Sequence, residues 1–258
     1  MIPTLPKTFR SGPWQLGHSV SGSSVKRWWI SKRCPQLLQA YSYVGKARSV
    51  GTRTGRVPAY HRAVPEALLV VVGYVLGTLP TALLVGRRTG VDPTTAGSGN
   101  PGASNVYRTS GRRAGAVVLV GDLVKGALAS GIGLAAGGRG LGLACGAAAV
   151  LGHVLPVTRL RRGGKGVATA AGTVVVLFPW HALVMVAVWA VVVAVTRRAP
   201  AASITAAASV PVAVAIAGHP AGYVLGVAVI AALVVVRHAA NIRRLVRGEE
   251  PAIRAGRT

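Results

Sequence analysis

Residues 180–195, WHALVMVAVWAVVVAV, run without an Asp, Glu, Lys or Arg and stop just short of Arg197 and Arg198. Six further apolar runs occur, at about Glu66–Gly86, Ala114–Gly137, Leu141–Val157, Val167–Phe178, Ala201–Ala217 and Tyr223–Val236. The whole chain of 258 residues is 51% hydrophobic with 34 glycines and a mean hydropathy of +0.50, which sets it apart from ordinary soluble domains. The expected fold is an all-α integral membrane protein, a compact bundle of about seven transmembrane helices. A full span takes about 20 apolar residues, so the shortest runs are expected to be tilted, incomplete or buried among neighbours. Their Ala and Gly content favours close helix packing in lipid.

Thirty Lys and Arg stand against five acids, Glu66, Asp92, Asp122, Glu249 and Glu250, which points to anionic partners. Basic residues follow alternate runs: Arg87, Arg88, Arg108, Arg112 and Arg113 after the first; Arg159, Arg161, Arg162 and Lys165 after the third; Arg197 and Arg198 after the fifth; Arg237, Arg243, Arg244 and Arg247 after the seventh. The intervening connectors carry Arg139 or no Lys or Arg at all. The positive-inside rule then places the N-terminus outside and the C-terminus in the cytoplasm. Cys34 and Cys145 have no partner at ligand spacing and are expected as free thiols, with no metal site.

Three segments are expected: residues 1–63, a basic, disordered extension; 64–251, the membrane domain; and 252–258, a short cytoplasmic tail. Residues 1–65 hold 11 Lys or Arg and no acid, and a basic tail outside the membrane works against the orientation rule. The expectation is that the functional chain begins near Val57–Val64, which mass measurement of the natural N-terminus checks. Trp14, Trp28, Trp29, Tyr41 and Tyr43 among these basic residues would suit nucleic acid or anionic lipid, but a structureless tail is the simpler reading and no nucleic-acid partner is expected.

Polar chemistry concentrates in three clusters. The first, AGSGNPGASNVYR (96–108), offers Gly97, Gly99 and Gly102 for a backbone nest around an anion, Ser98, Asn100, Ser104 and Asn105 as neutral hydrogen-bond groups, and Arg108 as a charged fork. A flexible turn is the alternative. The second, GHVLPVTRLRRGGKGVAT (152–169), sets Lys165 among Gly163, Gly164 and Gly166 at a helix start, a place suited to phosphate, or else to a basic membrane anchor. It lacks the GxxxxGK[ST] spacing of a nucleotide loop. The third, RHAANIRRLVRGEEP (237–251), repeats His238, Asn241 and Arg244 at a three-residue interval on one helix face. Within the spans, Asp122 and Lys125 form an i, i+3 pair, and charges in a span mark function or an obligatory pair. Ser203 is either a site group or a helix cap, and His153 reads as a core histidine.

Together, GSGNPGASNVYR, GGKGVAT and HAANIRRLVRGEE, with Asp122, Lys125 and Gly126 between the first two, resemble the signatures of the bacterial acyl-phosphate:glycerol-3-phosphate acyltransferases (PlsY family), over about residues 67–250. The resemblance implies transfer of an acyl chain from acyl-phosphate to the 1-hydroxyl of glycerol 3-phosphate, giving lysophosphatidic acid and inorganic phosphate, with no cofactor and no obligate protein partner. It implies a catalytic group of His238, Asn241, Ser203 and Lys165. The substrate-binding set is Gly97, Ser98, Gly99, Asn100, Gly102, Asn105, Arg108, Lys125, Gly163, Gly164 and Glu250. The family usually shows two serines where this chain has Ser203 beside Pro200 and Ala202. A phosphate transporter and a lipid-recruiting scaffold are the competing classes; neither would release phosphate in step with acylated product.

Overall fold

The computed structural model describes residues 59–159 and 163–253. The expected disordered extension with its aromatic residues, Cys34, Arg161, Arg162 and the end of the tail lie outside the described residues. Within them the chain is helical: α1 (Ala59–Gly77), α2 (Thr81–Thr89), α3 (Ala103–Val154), α4 (Val167–Leu177), α5 (Pro179–Thr196), α6 (Ala199–Ile216), α7 (Ala221–Arg237) and α8 (Ala239–Val246), with a 3-10 turn at Val157–Arg159.

Several of these helices are interrupted, and the interruptions position the site. Between α1 and α2, Pro80 has no N–H to continue the ladder, so the helix breaks, and the Leu79 carbonyl accepts from the Thr81 N–H at 3.1 Å. The Lys125 ammonium is a second donor to the same carbonyl at 3.2 Å. The 52 residues of α3 contain two breaks, at Gly111 (φ 88°) and at Gly137–Gly138 (φ 82° at Gly138). Only glycine adopts such positive φ values cheaply. At Gly138 the chain reverses: a Cβ at Gly142 would lie 3.0 Å from the Ser130 carbonyl, so residues 112–136 and 139–154 pack side by side. The runs expected at Ala114–Gly137 and Leu141–Val157 are therefore two arms of a hairpin.

Glycines also set the contacts between α3 and α4. A Cβ at Gly126 would strike the Thr169 carbonyl, and one at Gly172 would strike the Leu123 carbonyl. This reciprocal close approach brings the start of α4, and hence the Lys165 connector, beside Asp122. The main core joins the second arm of the hairpin to α4, α6 and α7 through Leu143, Val150, Val174, Leu177, Val210, Val227 and Val234. Trp180, Val195 and Ile216 face outward, as lipid-contacting residues do.

All seven expected apolar runs are largely helical, the first of them broken at Pro80. Four helical stretches, with α1–α2 and the two-armed α3 each counted once, are long and apolar enough to cross a membrane, or five if α7 and α8, bent by 61°, count as one. The shortest apolar run forms α4, about 16 Å long, half a hydrocarbon core, and largely buried among its neighbours.

At the end of the bundle away from the three motifs, Arg139 lies over two rings, its guanidinium carbon 5.2 Å from the Phe178 centroid and 5.6 Å from that of Tyr223. His181 and His219 complete the group with ring centroids 5.2 Å apart. Cys145 is a buried free thiol in α3.

Candidate active site

The first motif folds into a self-braced loop. Buried Asn105 donates to the carbonyls of Pro93 (2.9 Å) and Ala96 (3.0 Å) and accepts from the Ser98 N–H (2.9 Å). Gly97 takes φ 62°, and a Cβ there would collide with the Asn105 amide oxygen. The N–H groups of Gly99 and Gly102 bond to the carbonyls of Ala96 and Asn100. The expected backbone nest is therefore partly spent on the loop's own turns. What the motif turns toward the cavity is side chains: Ser98, Asn100 and, from the first turns of α3, Ser104 and Arg108.

The second motif is clamped from both sides. A Cβ at Gly164 would run into the His153 ring, and one at Gly163 into the carbonyls of His153 and Val154. Arg237 holds the carbonyls of Gly163 (3.1 Å) and Gly164 (3.4 Å). These two glycines act by permitting close packing, which fixes Lys165 at the cavity wall. The half-buried ammonium makes no hydrogen bond among the described residues. Burial, reinforced by Arg244, Arg108 and Arg237 and opposed by Glu250, lowers it to about 8.

The third motif turns at His238, between α7 and α8. The His238 Nδ1 lies 2.7 Å from the Val234 carbonyl, which fixes Nδ1 as the donor and leaves Nε2 as an acceptor. Burial outweighs the Val234 and Glu250 contributions and pushes the imidazole down to about 4, so it is neutral at pH 7. Asn241 donates to both oxygens of buried Glu250 (3.0 and 3.1 Å), and Arg244 Nε donates to Oε2 (2.8 Å). Glu250 thus holds the other two groups in place while its own charge is neutralised.

These pieces close around one cavity of about 380 Å³, lined among others by Ser98, Asn100, Arg108, Lys165, His238 and Asn241. Ser203, Asn105, Gly102 and Glu250 also border it; Gly99 and Gly163 border an adjoining cavity with Lys165 and Arg237. Lys125, expected among the substrate groups, lies outside both. Its ammonium is 2.9 Å from Asp122 and donates to the Leu79 carbonyl at the α1–α2 break, so it is held away from the cavity. Gly97 and Gly164 also lie outside, as packing positions.

An apolar groove of about 250 Å³ leads away from the cavity between α3, α4, α5, α6 and α7, past Leu123, Val174, Met185 and Val210. Leu119, Val167, Ala168, Trp189 and Ser203 border both spaces. The Trp189 indole donates to the Ser203 hydroxyl at 3.3 Å, a polar contact at the junction of a cationic cavity and a hydrocarbon groove.

Several lining residues escape a reading of the sequence for site groups. His153 looks like a core histidine, yet it lines the cavity 3.6 Å from Asp122. Asp122 stands out only as a partner of Lys125. Arg244 carries a signal in its spacing from His238 and Asn241. Trp189 carries none beyond an indole in an aliphatic span. Pro251 and Ile253 also line the cavity, and the Ile253 N–H bonds to the Arg197 carbonyl at 2.7 Å, so the wall of the site reaches beyond residue 251.

Residues 67–248 match the family model described as Glycerol-3-phosphate acyltransferase. A glycerol-3-phosphate acyltransferase of Thioalkalivibrio sulfidiphilus is 44% identical over 187 residues, covering 72% of this chain and 92% of the relative. One from Rubrobacter xylanophilus is 45% identical over 186 residues, covering 72% and 94%. The fold is similar to the crystal structure of PlsY (YgiH), an integral membrane glycerol 3-phosphate acyltransferase, in its glycerol 3-phosphate form. The TM-score is 0.70, with 37% identity over 73% of this chain and 95% of that one. This chain belongs to the glycerol-3-phosphate acyltransferase family.

Proposed function

We propose that the protein transfers an acyl chain from acyl-phosphate to the 1-hydroxyl of glycerol 3-phosphate, releasing lysophosphatidic acid and inorganic phosphate. The observation that carries this reading is the junction at Ser203 and Trp189. There a cavity with the cations Arg108, Lys165 and Arg244 meets an apolar groove suited to a hydrocarbon chain. Glycerol 3-phosphate is all polar and anionic; acyl-phosphate is half of each. The similar solved structures, in glycerol 3-phosphate and lysophosphatidic acid forms, carry the corresponding acceptor and product.

Acyl-phosphate is an activated mixed anhydride, so the protein's work is to align a hydroxyl with the carbonyl carbon and to stabilise charge on the tetrahedral oxyanion and leaving phosphate. The hydroxyl oxygen forms the new ester bond, the carbonyl–phosphate bond breaks, and the departing phosphate takes the proton. Neutral His238, with a pKa near 4, is suited to accept a hydrogen bond from a substrate and is a poor resting place for that proton. Asn241 and Ser203 complete the positioning, while Arg108 and Lys165 balance phosphate charge.

The same reading includes seven spans in a bacterial plasma membrane, with the N-terminus outside, the C-terminus cytoplasmic and the site on the cytoplasmic face. The clustering of Arg87, Arg88, Arg197, Arg198 and Arg243 with the motifs, against Arg139 at the other end, supports it. Purified protein given palmitoyl-phosphate is expected to release phosphate only when glycerol 3-phosphate is present, with acylated product in equal amount. Phosphate release without acylated product would overturn the assignment.

A further inference from the structure

Asp122 is an unusual residue to find at a site built for phosphates, since a carboxylate repels them. It is 2% exposed and borders the cavity. Its recorded partners all meet one oxygen: the Thr81 hydroxyl and the Lys125 ammonium (2.9 Å) contact Oδ1, and His153 Nδ1 stands 3.6 Å from the same atom. No hydrogen bond reaches Oδ2 among the described residues. The Oδ1 side of the aspartate is fixed by the fold, because Thr81 lies beyond the α1–α2 break, Lys125 is tied to Leu79, and His153 is packed against Gly164.

We infer that the Asp122 carboxylate recognises the 2-hydroxyl of glycerol 3-phosphate and selects the acceptor by it. This rests on the acyltransferase reading of the same site. A buried carboxylate with an open oxygen demands a donor, and the hydroxyls are the donors that glycerol 3-phosphate offers when its phosphate is ionised. A carboxylate already charge-balanced by Lys125 is a good hydrogen-bond acceptor. It is therefore suited to hold the spectator 2-hydroxyl while the 1-hydroxyl is presented to the acyl carbonyl. Asp122 is in this sense a specificity residue, and Thr81, Lys125 and His153 are positioning residues that act through it.

The test compares acceptors with palmitoyl-phosphate as donor: glycerol 3-phosphate against 3-hydroxypropyl phosphate, which has the reacting hydroxyl and the phosphate but lacks the 2-hydroxyl. A site that hydrogen-bonds a substrate hydroxyl through a buried charged group is expected to favour glycerol 3-phosphate by about 10- to 100-fold in kcat/KM. In Asp122→Asn combined with Lys125→Met, which removes both charges together, that preference should collapse below about threefold while 3-hydroxypropyl phosphate is still acylated. If the double variant does not fold, Asp122→Glu, which keeps the charge and moves it by one methylene, is read the same way. A wild-type preference below about threefold overturns the inference without any variant. So does a variant in which both acceptors lose equally and the preference survives, the mark of a merely structural role. Wild-type protein that acylates neither acceptor overturns the acyltransferase reading itself, a result distinct from acylation without discrimination.

Discussion

The two ends of this helical bundle use similar side chains to opposite effect. At one end Arg139, His181, His219, Phe178 and Tyr223 stack on one another, and the guanidinium spends its charge on two ring faces. At the other end Arg108, Lys165, Arg244 and His238 surround a cavity in which Lys165 has no hydrogen-bond partner among the described residues. Residue type alone does not make a binding site. Charge that the fold holds in place without neutralising is available to a ligand, whereas charge stacked on rings stabilises the fold by about 0.5–2 kcal/mol and offers little beyond it.

The sharpest way to break this comparison is to remove charge at each end. Lys165→Ala should lower kcat/KM for glycerol 3-phosphate by about 100-fold, since a charge-assisted contact to phosphate is lost. An unchanged value in steady-state kinetics would remove Lys165 from the site. Glu250→Gln keeps the shape but releases Asn241 and Arg244 from a common carboxylate, and about a 10-fold loss of kcat/KM is expected. Full activity there would mean that the cavity wall holds without its acid. The pH dependence sharpens the same point. Because the Lys165 ammonium is lowered to about 8, glycerol 3-phosphate binds the protonated form tightly below that pH. As pH rises through 8 the proton is lost, and KM should climb by up to about 10-fold per unit, as measured in initial rates at fixed acyl-phosphate. The smallest effect belongs to the far end: Arg139→Gln should leave KM within about twofold and lower stability by about 0.5–2 kcal/mol. A large loss of activity from that change would mean the two ends are coupled.

The contrast between Lys125 and Lys165 shows how far sequence reasoning reaches. Both are lysines beside a glycine in a polar motif, and both were reasonable phosphate ligands. Lys165 lines the cavity; Lys125 is held by Asp122 and by a carbonyl that the Pro80 break exposes 46 residues earlier in the chain. Glu250 shows the reverse. From sequence it completes a motif, but its carboxylate turns out to organise Asn241 and Arg244, nine and six residues before it. Such roles depend on which polar groups the fold brings nearby, and spacing along the chain does not encode that.

The sequence by itself determined the helical, lipid-facing character, through apolar runs that cannot stay in water, and it marked the three polar motifs by their glycines, amides and cations. The tertiary structure alone decided that these motifs meet around one cavity, that an apolar groove opens from it at Trp189 and Ser203, and that Asp122 faces it. The reason is geometric: the Gly138 reversal and the close glycine contacts of Gly126 and Gly172 set which helix faces touch. A cavity is a property of several faces at once, so no single segment of the chain carries it.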